Sequence, residues 1–303
     1  MTARKALRSA YARIVRGLSG HGIGRFRVVR LLDRLIISRL KSDFAEVQGH
    51  RMFLDSEDFL DLSIKGIHEP FETRLVRDLV KRGDVVLDIG AHIGYYTLMF
   101  AKLVGEEGRV FAFEPDPGNF ALLQKNVEEN AYRNVVLVPK AVSDKTGNIR
   151  LYLCDRRVVR TIYDTHGSRG WIEIESVRLD DYFAQYKGGI DFIKMDVEGA
   201  EGLAIRGMAL LLQKHKDIKI MMEFWPIALK MSGVDPGECL QTLLRYGFKL
   251  YHIDSQREIP RQADPDELLK MYPPREEDWR NLRSTNLLCV RQQYAYPAAR
   301  RYN

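Results

Sequence analysis

Cysteine is sparse: Cys154, Cys239 and Cys289 are the only three in 303 residues. They stand far apart, with no Cys-x-x-Cys and no Cys/His ligand spacing. That excludes a disulfide framework and the common zinc sites, and it reads as core or incidental thiols in a reducing cytoplasm. No run of 18 or more apolar residues occurs, so no membrane-spanning helix is predicted. The basic N-terminus lacks the uninterrupted apolar stretch of a secretory signal. Internal repeats and low-complexity tracts are missing too, as is the GxGxxG turn that wraps a dinucleotide pyrophosphate. What is present is an ordinary globular composition, 45% hydrophobic and 29% charged, in a chain long enough to bury a full core.

Positive charge is confined to one end. Residues 1–43 hold 11 Lys/Arg against Asp33 and Asp43, a balance of +9, which leaves −3 for residues 44–303 of a chain whose total is +6. An enzyme acting on a long polyanion would carry basic surface around its site as well, so nucleic acid is not the expected partner. In the basic start, Leu7, Tyr11, Ile14, Val15 and Leu18 fall at helical spacing among Arg4, Arg8, Arg13 and Arg16. After a break at Gly20, Gly22 and Gly24, Val28, Leu31, Leu32, Leu35 and Ile36 share one face. Such a basic amphipathic helical extension either caps the following domain or lies on an anionic membrane surface. A cytoplasmic location is expected, with peripheral contact at the inner membrane face through residues 1–43 as the alternative.

Beyond it, residues 44–67 read as a small β lead-in, and Glu69–Lys81 as an amphipathic helix ending at Gly83. Strand-like runs follow at 85–89, 109–114, 134–139, 190–196, 217–223, 247–252 and 285–291. Helical patterns lie near 95–105, 117–130, 199–213 and 236–246. Alternation of this kind predicts an α/β domain at 68–291, a parallel sheet covered by helices on both faces, with a tail at 292–303. Two segments break the rhythm. Residues 149–177 carry extra β pattern around a polar loop with Arg156, Arg157, Arg160, Tyr163, His166 and Arg169; residues 254–283 are rich in charge and proline. Both belong near the carboxyl ends of strands, where loops select ligands.

The most informative stretch is Val85–Thr97, VVLDIGAHIGYYT. An apolar run carries Asp88 near its end and turns through Gly90 and Gly94, where the missing Cβ lets backbone approach a ligand. Glu114 ends the next apolar run, about where a doubly wound fold sets a carboxylate on a ribose diol. The spacing is GxxxG, which favours S-adenosylmethionine (SAM), a ligand without phosphate, over NAD. The second dense motif is IDFIKMDVEGAE at 190–201, where Lys194, Asp196, Glu198 and Glu201 emerge from an apolar run. Ionisable groups in that context are costly to bury unless paired or engaged. Glu223, in IMMEFWP, adds another at the end of the next run.

Glu69-Pro70, DIGAHIGYYT, VFAFEPDPGNF, KAVSDKTG at 140–147 and IKMDVEGAE, with MEFWP, RYGFKLYHID and TNLLC, resemble the FkbM-type SAM-dependent methyltransferases over roughly residues 65–290. His92 departs from the pattern, which more often has asparagine there. The resemblance implies a class I methyltransferase (Rossmann-like) fold: a seven-stranded, mostly parallel sheet with the last strand antiparallel. It implies O-methylation, typically of sugar or natural-product hydroxyls. Carried over by position, Asp88, Gly90, Ala91 and Gly94 line the methionine end and turn of the cofactor site and Glu114 holds the ribose. Val142, Ser143 and Asp144 border the adenine, and Asp196 lies by the cofactor's amino group or the acceptor.

An alcohol is a weak nucleophile, so a group must take its proton. Asp196 and Glu198, with Lys194 setting their charge, are the candidate catalytic residues. No metal ligand is assigned, although Asp196, Glu198 and Glu223 form an oxygen-rich set of the kind that holds Mg²⁺. His166 and His252 are alternative bases. Tyr163, Trp171 and Trp225 offer rings for stacking on sugars. The favoured reading is a SAM-dependent O-methyltransferase of a saccharide, glycolipid or other small-molecule acceptor. The alternatives are a nucleic-acid ribose methyltransferase and a non-catalytic SAM-binding module at a membrane surface.

Overall fold

The computed structural model describes residues 44–55, 58, 60–154, 160–165, 168–275 and 283–292. The basic extension, the tail after 292, Arg156, Arg157 and His166 lie outside the described residues. At the start, β1 (Phe44–Val47) and β2 (His50–Phe53) form an antiparallel hairpin, its turn made by Gln48 and Gly49, both at positive φ. Then come β3 (Val85–Ile89), β4 (Arg109–Phe113) and β5 (Val135–Val138), each followed or preceded by a helix. The first break in rhythm holds β6 (Ala141–Val142), β7 (Gly147–Cys154), β8 (Arg160–Thr161) and β9 (Ser168–Val177). The chain returns through β10 (Phe192–Met195), β11 (Lys219–Phe224), β12 (Lys249–Asp254), β13 (Ile259–Gln262) and β14 (Thr285–Val290).

The main sheet has the order β13-β12-β14-β11-β10-β3-β4-β5. Strands β5, β4, β3, β10 and β11 run parallel, and β14 is antiparallel to both β11 and β12. From β3 the chain winds outward through β4 and β5, then restarts on the other side at β10. That reversal is the topological switch point at which open α/β sheets bind ligands. It is the class I methyltransferase arrangement, with one addition. The sheet has eight strands, not seven, because β13 pairs with the edge of β12. Its Pro260 lacks an N–H, which only an edge position tolerates; the proline-rich composition of 254–283 masked this strand and the helix Pro265–Met271 capped by Asp264.

The helical pattern at 199–213 is in fact two short helices, Glu201–Arg206 and Ala209–Lys214. The break falls at Gly207, which lies so close to the Ser143 carbonyl that a Cβ would stand 2.0 Å from its oxygen. Hydrophobic spacing carries no trace of that contact. Helix Pro226–Met231 also arises where no periodic signal was read.

Strand side chains alternate between two cores. Leu87, Ile89, Ile193, Met195, Met222 and Phe224 enter one face; Val86, Phe192 and Met221 enter the other. Buried on both faces, these strands read as continuous apolar runs. Asp88 and Lys194, directly paired between β3 and β10, therefore share the second face with Val86 and Phe192. The separate sheet β6-β9-β7-β8 lies against the carboxyl ends of β3 and β4, where Leu151, Arg160 and Ile162 meet Asp88, Gly90 and Glu114 around one cleft.

Candidate functional site

The cleft at the switch point encloses about 990 Å³, part of it open to solvent. Its floor is the turn after β3. Gly90 has φ 82°, and a Cβ there would sit 1.9 Å from the Asp196 carbonyl oxygen, so only glycine lets the β3 and β10 loops touch. The amides of Gly90 and Ala91 both donate to the Phe113 carbonyl, at 2.9 and 3.0 Å. His92 follows at φ 51°, a left-handed conformation in which asparagine and histidine are among the enriched non-glycine residues. This is the physical reason an asparagine position accepts this substitution. The His92 amide donates to Glu114 Oε2 at 2.8 Å, and the Asp116 amide to Oε1 at 2.9 Å. Glu114 is thus locked in place at 5% exposure, and burial raises its pKa to about 7 against the pull of those two amides. Asp116 caps helix Pro117–Glu129 and takes Arg160 of the small sheet at 2.9 Å, tying that sheet over the cleft.

At the other end stands a set of ionisable groups. Lys194 donates to Asp196 Oδ2 at 2.8 Å and lies 4.9 Å from the Tyr96 ring centre. Burial opposes its charge, yet Asp196, Glu69 and Asp88 outweigh it and hold its pKa up. Asp196 is correspondingly held down, the Lys194 charge and hydrogen bond overcoming its own burial. Asp88 accepts from Thr97 Oγ1 at 2.5 Å; its Oδ1 is buried with no hydrogen-bond partner among the described residues, and burial raises its pKa to about 6. Glu198, at φ 56°, has a pKa pushed well up by burial and then by Asp196 and Glu201. Glu223 is pushed well up by burial and by Asp196, Glu198 and Glu201. Glu201 is fully buried, accepts from the Val197 amide at 3.0 Å and has a pKa near 7 through burial. The Tyr163 hydroxyl donates to the Glu198 carbonyl at 2.6 Å.

Of the residues singled out in the sequence, Asp88, Gly90, Ala91, Glu114, Val142, Lys194, Asp196 and Glu198 line this cleft. Gly94, Ser143 and Asp144 are not among its lining residues. Gly94 packs on Leu123, Cδ1 of which would be 2.8 Å from a Cβ, and Ser143 packs on Gly207. Strand alternation puts His252 on the sheet face opposite Tyr251 and Ile253, with its Nε2 3.1 Å from the Tyr272 hydroxyl. Trp225 and Tyr163 pack together with Ile227 and Ala228, while Trp171 is exposed under the Arg150 guanidinium. Among the described residues no three His, Cys, Asp or Glu side chains are grouped to hold a metal ion. Sequence reasoning passed over His68 and Tyr96, which also line the cleft, and gave Glu69 no role. The only signal was the Glu69-Pro70 pair.

The donor set fits SAM: a fixed carboxylate for a ribose diol, an apolar slot of Ala141, Val142, Leu151 and Ile162, and a polar end with the orphaned Asp88 oxygen for an amino-acid tail. Residues 88–250 match the family model of the Methyltransferase FkbM domain. The 2-O-methyltransferase NoeI of Sinorhizobium fredii is 30% identical over 176 residues, covering 51% of this chain and 71% of that protein. Hexuronic acid methyltransferase AglP of Haloferax volcanii is 26% identical over 175 residues, covering 56% and 65%. Aeropyrum pernix fibrillarin, solved with SAM, overlaps 73% of this chain and 74% of its own at 12% identity and a TM-score of 0.42. The chain belongs to the FkbM family of SAM-dependent methyltransferases.

Proposed function

We propose that this protein transfers the methyl group of SAM to a hydroxyl of a saccharide or saccharide-bearing acceptor. One observation carries the reading: past the Gly90 turn, the cofactor cleft runs into an end lined by Asp196 and Glu198. Carboxyl groups there accept and donate hydrogen bonds to hydroxyls. The printed activities of two relatives, a 2-O-methyltransferase and a hexuronic acid methyltransferase, point the same way.

SAM supplies an activated methyl group, so the protein's task is alignment and proton removal. In this reading Gly90 and Ala91 form the cradle, Glu114 accepts from the ribose hydroxyls, and Val142, with Ser143 and Asp144 behind it, borders the adenine. Lys194 keeps Asp196 ionised, and Asp196 accepts from the acceptor hydroxyl and orients it. Glu198, whose proton affinity is pushed up by burial and by Asp196 and Glu201, offers a hydrogen bond to a second acceptor oxygen. The test is transfer of radiolabelled methyl from SAM to methyl glycosides of glucose, galactose and mannose, with the uronic acid counterparts and an RNA oligonucleotide alongside. Label in RNA and in no glycoside would sink the proposal.

No helix of the described residues is long and apolar enough to cross a membrane. We keep residues 1–43 as an extension separable from the catalytic domain, acting in the cytoplasm and able to touch an anionic membrane face. Sedimentation with anionic liposomes, with and without those residues, decides the membrane part. Limited proteolysis near residue 43 checks the boundary.

A further inference from the structure

Of the carboxyl groups near this end, Asp196 is engaged by Lys194 at 2.8 Å, which holds its proton affinity down, while burial pushes Glu198 and Glu223 up. A different pair meets the requirement that the base be oriented by a third group. His68 lines the cleft, its Nε2 3.6 Å from Glu69 Oε2. Glu69 is anchored from two remote parts of the chain: the Tyr96 hydroxyl donates to Oε2 at 2.8 Å, and Asn286 Nδ2 donates to Oε1 at 2.9 Å. The His68 backbone is pinned as well, its carbonyl accepting from Thr73 Oγ1 at 2.8 Å and from the Tyr95 hydroxyl at 3.2 Å. The rings of Tyr95 and Tyr96 meet the imidazole edge-on, with centroids 5.8 and 6.5 Å away. Glu69 itself sits at φ 42°, an uncommon conformation for a residue with a side chain, of the kind that gathers at functional sites.

We infer that His68 is the proton acceptor of methyl transfer and that Glu69, held by Tyr96 and Asn286, is the positioning residue that orients it. The assignment rests on the proposed hydroxyl acceptor. With Nε2 carrying its hydrogen toward Glu69, Nδ1 holds the lone pair. The acceptor O–H bond breaks and its proton passes to Nδ1. The oxygen's electron pair forms the new O–C bond, and the bond from that carbon to sulfur breaks with its pair staying on sulfur. The imidazolium then returns its proton to water. A gap of 3.6 Å is ordinary for a catalytic contact before substrate closes the site.

The charged and titratable groups facing His68 are Glu69 and Glu72 from its own side, Lys194 and Asp196 from the β10 end, and His92 from the β3 turn. Burial, the largest influence, depresses the His68 pKa, and Lys194 adds to it, while Glu69, Asp196 and Glu72 oppose. The ring is therefore biased toward its neutral, proton-accepting form.

The experiment uses the full chain, SAM and the methyl glycosides above. His68→Gln should cut kcat by about 10²–10⁴-fold, with SAM affinity by calorimetry within about threefold of the parent and an unchanged melting temperature. Imidazole added to His68→Ala should restore part of the lost turnover. Glu69→Gln should move the acid limb of the pH–rate profile downward, since a stabilising negative charge beside the ring is lost. Independently of activity, the ring-proton resonance of His68 should titrate below pH 6.5 in apo protein. Loss of SAM affinity in step with turnover would make His68 part of the cofactor cradle and overturn the inference. Unchanged kcat, or a ring still protonated at pH 7.5, would overturn it as well. Absence of transfer by the parent protein to every glycoside defeats the saccharide reading, whereas parental turnover with an inert substitution at His68 defeats this assignment alone.

Discussion

The two ends of the cleft are built in opposite ways. The cofactor end is local: Gly90, Ala91, His92 and Glu114 come from two neighbouring strand ends, β3 and β4, and their bonds are mostly backbone amides to one carbonyl or one carboxylate. The proposed acceptor end is collected from afar: His68 before a helix, Tyr96 in the next, Lys194 on β10 and Asp196 just after it line the cleft, with Glu69, Asn286 on β14 and Glu223 on β11 outside that lining. Contiguous motif makes the first end rigid and readable. Side-chain convergence makes the second, and burial pushes the proton affinity of its Glu198 and Glu223 carboxyl groups up.

Changing Gly90 strikes both ends at once. Gly90→Ala drives a Cβ into the Asp196 carbonyl, 1.9 Å away in the present backbone. We expect SAM binding to fall below detection in calorimetry, with a melting temperature lower by at least several degrees. Retained micromolar affinity would show that the two loops are not coupled as described.

Lys194→Met comes next. It strands Asp88 and Asp196 without their cation, and removing one partner of a buried pair costs about 3–5 kcal/mol, a range whose lower half is apt because the Asp196 side chain is 34% exposed. Urea denaturation reads this, and Lys194→Met combined with Asp88→Asn should recover part of it. Additivity of the two changes would break the claimed coupling.

Acidity separates the ends more gently. Glu114 and Glu201 have pKa values near 7, and Asp88 near 6, through burial. Between the ordinary carboxylate pKa and about 7, the folded protein holds protons that the unfolded chain has released. Stability of the apo protein should therefore rise as pH falls from 8 toward about 6.5, each group contributing on the order of 2–3 kcal/mol at most. Below the ordinary histidine value of 6.5, the depressed His50, His68, His92, His215 and His252 pull the other way. Carboxylates with depressed pKa, Asp196 and Asp116, lose their contribution only at still lower pH. Glu201→Gln should flatten part of the slope in thermal melts. A flat profile between pH 8 and about 6.5 would refute the burial argument.

Glu114→Gln removes the charge and also sets an NH2 donor against one of the two backbone amides that Glu114 accepts from, so SAM affinity should drop at least about tenfold, in keeping with the loss of a charge-assisted hydrogen bond of about 1.5–3 kcal/mol. The smallest effect is expected of Tyr163→Phe, which frees the Glu198 carbonyl: about 1 kcal/mol of stability and a few-fold in kcat, without change in SAM affinity. An effect on SAM affinity larger than on kcat would place Tyr163 with the wrong end.

From residue order alone came the parallel α/β plan, the strand at 85–89 to the residue, the Gly90 turn, Glu114 at the end of β4 and the charged segment after β10. These are short-range consequences: apolar runs of strand length, glycine where backbone must pass close, carboxylates at run ends. The eighth strand escaped because Pro260 belongs to an edge, and whether a segment lies on an edge is a property of the sheet. The split at Gly207 escaped because the Ser143 carbonyl that forces it lies more than sixty positions away. His68 and Asn286 escaped for the same reason, since no local pattern tells which distant side chains will share a carboxylate with Tyr96. Proton affinity was likewise a tertiary decision: Asp196 and Glu198 are two residues apart, yet Lys194 holds the pKa of one down and burial pushes that of the other up. Periodicity and turn chemistry act over a few residues and are written in the chain. Which buried groups meet, and at what charge, depends on packing from every side, which exists only once the sheet has closed around them.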